Sequence, residues 1–74
     1  MHNAEVVIQV RYNPKGECVF CGEAPAGVSA QDWHNHLSYN LAIHPLSGGR
    51  AAFYTTNEDL ARFKTMEGAK YEAL

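Results

Sequence analysis

Both cysteines and three of the four histidines fall in one stretch, Cys18 to His44. Val19 and Phe20 separate Cys18 from Cys21, a spacing that lets two sulfurs reach one ion. His34 follows Cys21 by a gap that suits a second ligand pair. On a strand His36 would point to the same side as His34, because side chains repeat every two residues. Two thiolates and two imidazoles make a tetrahedral set, which is zinc chemistry. The expected metal ligands are therefore Cys18, Cys21, His34 and His36, with zinc as the cofactor. His44 shares the parity of His34 but would lie roughly 30 Å further along an extended strand, outside the set.

The string Cys18-Val19-Phe20-Cys21-Gly22 resembles a zinc knuckle, the CxxCG turn of zinc ribbons and treble-clef domains. The resemblance implies a turn whose amides face the thiolates, and it covers these residues alone. A zinc ribbon carries a second CxxC, which this chain lacks. A C2H2 finger spaces its histidines more widely and on a helix, whereas His34 and His36 flank a single residue. His34-Asn35-His36 spells the letters of the HNH nuclease motif, but that motif is named for dispersed residues, so the string carries no weight.

A plainer reading stands beside the metal site. A regular strand over Glu17 to Cys21 would send the two thiols to opposite faces. Cys18 would then be a surface or interface thiol and Cys21 a small buried group. The histidines would be solvated on a polar face. Redox use of the CxxC pair needs a helix N-terminus within a βαβ unit, and neither is visible. A nucleophilic Cys21 with His34 and Asp32 can be drawn, but so can many arbitrary sets. A metal- or thiol-dependent enzyme built on the same Cys/His cluster is the alternative function, and no catalytic residue is assigned.

The elements that must position these residues follow from pattern. Val6, Ile8, Val10 and Tyr12 alternate with Glu5, Gln9 and Arg11, so Ala4 to Tyr12 reads as a strand broken only by Val7. Asn13-Pro14-Lys15-Gly16 is a strong turn with a bulge at Gly16, pairing that strand with Glu17 to Cys21. Gly22 to Ala30 is loop. The next segment has two readings. Ser29 with Asp32 resembles a helix N-cap, and Ala30, Trp33, Leu37 and Leu41 would share a stripe. Against this, Trp33, Leu37, Tyr39, Leu41 and Ile43 hold odd positions, and a helix would put Tyr39 and Ile43 on the wrong side. The alternation favours a long strand from Trp33 to Ile43, after one helical turn at most. Pro45 to Gly49 is a turn and Arg50 to Thr55 a further strand, with Phe53 and Tyr54 on opposite faces. Helix caps at Thr55, Thr56 and Asn57 precede Glu58 and Asp59, opening a helix that runs to about Glu67 and stops at Gly68. Residues 69–74 resume a helix or fray. The predicted fold is α+β: a small antiparallel sheet of about four strands in two hairpins, with one C-terminal α-helix packed on one face.

Length and composition set the functional bounds. Seventy-four residues suit one small domain, 1–74. A hydrophobic share of 46% against 19% charged residues fits a globular chain. Cores this small rarely supply more than roughly 3–5 kcal/mol, so a metal or a partner often helps. The net charge of −2 and the absence of a basic run argue against a nucleic-acid partner. No apolar run approaches the ~20 residues of a membrane span, and the N-terminus lacks a signal pattern, so the expected location is cytoplasmic without a membrane partner. Six aromatic side chains, including Trp33, Tyr39 and Tyr54, exceed what one short helix can cover. These three are the expected partner-binding residues. The leading expectation is a small non-enzymatic protein-binding module, an adaptor or inhibitor, zinc-stabilised. Chains of this size and mild acidity occur among phage and mobile-element proteins that block host machinery, anti-CRISPR proteins among them; this is an analogy of size and composition. Homodimerisation through sheet faces or an edge strand is the other partner reading.

Overall fold

A computed structural model describes residues 5–66. The expected strand start at Ala4, the helix end near Glu67, the stop at Gly68 and the 69–74 tail lie outside these residues. The elements are β1 (Glu5–Tyr12), β2 (Cys18–Cys21), α1 (Ala30–Asn40), β3 (His44–Leu46), β4 (Arg50–Thr56) and α2 (Asn57–Phe63). The strands form one antiparallel sheet in the order β2-β1-β4-β3. The α+β class with a four-strand sheet is thus as expected.

The first hairpin follows its turn chemistry. Asn13 O accepts from Gly16 N, and Asn13 Oδ1 accepts from Lys15 N and Glu17 N, each at 2.9 Å. Gly16 takes φ +86°, a conformation that side chains resist. A second irregularity was not expected. Arg11 pairs with Phe20 and Tyr12 with Cys18, which leaves Val19 as an extra residue in β2.

The expected strand from Trp33 to Ile43 is instead mostly the helix α1, so the molecule has two helices and not one. Ser29 is the N-cap, its hydroxyl accepting from Asp32 N at 3.1 Å. Gln31 and Asn35, one helical turn apart, join side chains at 3.0 Å. Trp33, His36 and Leu37 form the buried stripe. Strand and helix share the spacing of four that links residues 33, 37 and 41, so only Tyr39 and Ile43 separated the two patterns. Both are exposed, as a helix ending near residue 40 requires.

The second hairpin is correspondingly short. β3 has three residues, with Pro45 at its centre, and turns through Gly48 and Gly49 into β4. At Thr56 the hydroxyl accepts from Asp59 N and starts α2.

Both helices lie on one face of the sheet. Ile8 and Val10 of β1, Ala51 and Phe53 of β4, both cysteines, Trp33 and Leu37 of α1, and Leu60 and Phe63 of α2 make one buried cluster. No helix among the described residues is long and apolar enough to cross a membrane.

Candidate functional site

The Val19 bulge decides the fate of the thiols. By adding one residue between Cys18 and Cys21, it turns both to the helix-covered face, where each is buried and free of a disulfide. The opposite-face arrangement expected of a regular strand does not occur. Cys18 Sγ approaches Phe20 O at 3.4 Å and Ala30 O at 3.7 Å, and Cys18 N donates to Gln31 Oε1 at 2.8 Å. Burial pushes the Cys18 thiol upward. Burial, and then the neighbouring Cys18, push Cys21 to about 12. Both thiols are therefore protonated at neutral pH, the opposite of what an activated thiolate requires.

The histidines take separate places. On α1, His34 and His36 sit two positions apart, so the helix turns them away from each other. Tyr12 Oη and His34 Nε2 are 2.7 Å apart, and His34 Nδ1 donates to Asn35 Oδ1 at 3.3 Å. His36 is only 2% exposed and lies against Trp33 and Phe63, with ring centroids 6.1 and 6.2 Å away. Of the four expected zinc ligands, the fold brings Cys18 and Cys21 together. Among the described residues, no three His, Cys, Asp or Glu side chains gather as a metal set.

The thiol environment has a pH consequence. An unfolded cysteine ionises at about 8.5, whereas Cys21 in the fold holds its proton to about 12. The unfolded state therefore loses protons first, and stability present below about pH 8.5 is lost as pH rises toward 12. Urea midpoints should hold from pH 7 to 8.5 and fall by pH 10.5, and Cys21→Ala should flatten that fall. Equal slopes in the two proteins would show that the buried thiol is not responsible.

Among the described residues, no element covers the other face of the sheet. Along β1 it presents Val7, Gln9 and Arg11, all exposed. Register places Tyr54 opposite Val7, Ala52 opposite Gln9 and Arg50 opposite Arg11. Phe20 pairs with Arg11 from β2, and Leu46 pairs with Arg50 from β3. Val7, Phe20, Leu46 and Tyr54 are 49, 48, 48 and 40% exposed. His44 supports Tyr54 edge-on, with ring centroids 4.8 Å apart. A cavity of about 200 Å³ is lined by Val7, Gln9, Arg11, Leu46, Arg50 and Tyr54. A neighbouring depression is lined by Gln9, Arg11, Val19 and Phe20.

The expected partner-binding residues divide. Trp33 is fully buried and belongs to the core, so it presents nothing to a partner. Tyr39 is 64% exposed, but it stands on α1, across the sheet from Tyr54. Tyr54 alone belongs to the open face. The sequence reading missed Arg11, Arg50, Val7, Phe20 and Leu46 as a group. Its available signal was Val7, the one apolar residue that broke the alternation of β1. No family model, curated protein or solved structure matches this chain.

Proposed function

We propose that this chain is a non-enzymatic protein-binding module that occupies a partner's surface with the open face of its sheet. One observation supports the reading above the rest. Val7, Phe20, Leu46 and Tyr54 leave large apolar groups in water on a face that neither helix covers. Aromatic and arginine side chains are enriched at interaction surfaces, where exposed apolar groups stand among polar ones. Protonated thiols weigh against the thiol-enzyme alternative.

The test compares surface variants in quantitative affinity capture. Tyr54→Glu and Phe20→Glu should keep the wild-type melting temperature to within a few degrees and lose the proteins retained by wild type. Tyr39→Glu, on the opposite side, should retain them. Identical retained sets across all three variants would remove the open face from the function.

A further inference from the structure

Arg11 and Arg50 face each other across the two central strands of the open face. Like charges directly opposite in a sheet repel and lower stability. Among the described residues, neither arginine has a carboxylate within ion-pair distance, whereas Arg62 is paired with Asp59 at 2.8 Å and Lys64 with Glu23 at 3.2 Å. Arg50 Nε only donates to Ser47 O at 3.1 Å. The carboxylate that β1 carries on the same side, Glu5, lies at the far end of the strand, roughly 20 Å from Arg11. Both arginines line the cavity beside Val7, Leu46 and Tyr54, and Arg11 also lines the depression beside Phe20. An anion placed between them would relieve their repulsion and could take bidentate bonds from planar forks.

Resting on the reading of this face as protein-binding, we propose that its partner presents an aspartate or glutamate carboxylate clamped by Arg11 and Arg50. Apolar residues flank that carboxylate on the partner. On one side they seat against Val7, Leu46 and Tyr54; on the other they meet Phe20. A nucleic-acid phosphate is the poorer occupant. The chain carries net charge −2, and two cations among apolar groups do not make a backbone-tracking groove.

The probe is a random peptide library displayed on phage and selected against the full chain. Selected peptides should carry Asp or Glu flanked by aromatic or aliphatic residues. In fluorescence anisotropy, changing that acid to its amide should weaken binding about tenfold or more. The double variant Arg11→Gln/Arg50→Gln should weaken it equally and add nothing further to the amide peptide. Peptides without an acid, sensitive to Tyr54→Glu but not to the arginine variant, would overturn the carboxylate clamp and leave the protein-binding reading standing. Peptides indifferent to both variants, or no selected peptide at all, would overturn both. Oligothymidine binding that depends on the arginines would replace the carboxylate by phosphate. A dimer in sedimentation velocity that dissociates in the arginine variant would make the occupant a second copy of this chain.

Discussion

Trp33→Ala is expected to unfold the protein at room temperature. Trp33 has no exposed surface and belongs to the buried cluster that joins both helices to the sheet. Its indole Nε1 donates to Gly22 O at 2.7 Å, tying α1 to the loop that leaves β2. Truncating a buried tryptophan costs about 3–5 kcal/mol through lost transfer energy and the cavity left behind. A chain of this length commands a total of roughly the same size. Far-UV circular dichroism should show no cooperative melt. Trp33→Phe separates the two roles, because it keeps a ring but orphans the Gly22 carbonyl, for a loss of about 1–3 kcal/mol. It should fold with a lower midpoint. A Trp33→Ala protein that melts cooperatively within a few degrees of wild type would show that α1 is not essential to the core.

His36→Leu should have the opposite sign. His36 is buried, and among the described residues neither of its ring nitrogens has a hydrogen-bond partner. A polar group held that way carries a desolvation penalty of about 1–3 kcal/mol. Leucine fills a similar space against Trp33 and Phe63, satisfies the helix better and has nothing to desolvate. We expect a gain of about 1–2 kcal/mol, or roughly 4–15 °C in melting temperature for a domain of this size. The same variant weighs the zinc expectation, since loss of a ligand would lower stability and release metal. A melting temperature that falls, with zinc lost from the purified protein, would restore His36 as a ligand.

The legible parts of the fold were those fixed locally. Asn13 to Gly16 determined one hairpin, and Thr56 to Asp59 opened one helix, because each depends on side chains bonding to the backbone beside them. The segment from Trp33 to Ile43 is ambiguous in sequence because residues four apart satisfy both periods. The Ser29 cap is the local signal for the helix, and Tyr39 and Ile43, whose odd positions suit a strand, are both exposed. The site was harder still. Nothing in the local sequence marks Val19 as an inserted residue, yet that insertion decides where both thiols point. The Arg11–Arg50 pair is a product of register between strands far apart in the chain, so composition alone records only two scattered cations.

The bulge at Val19 and the proline in β3 share a further consequence. A sheet with an apolar face invites strand-by-strand growth into fibres when its outer strands are long and regular. Here both outer strands are poor templates. β2 has four residues and is interrupted at Val19; β3 has three, and Pro45 offers no N–H to an incoming chain. Both edges therefore disfavour amyloid-type stacking although apolar groups stand on the open face. On the proposed reading, a partner would be held through side chains on the face, not through backbone pairing at the rim.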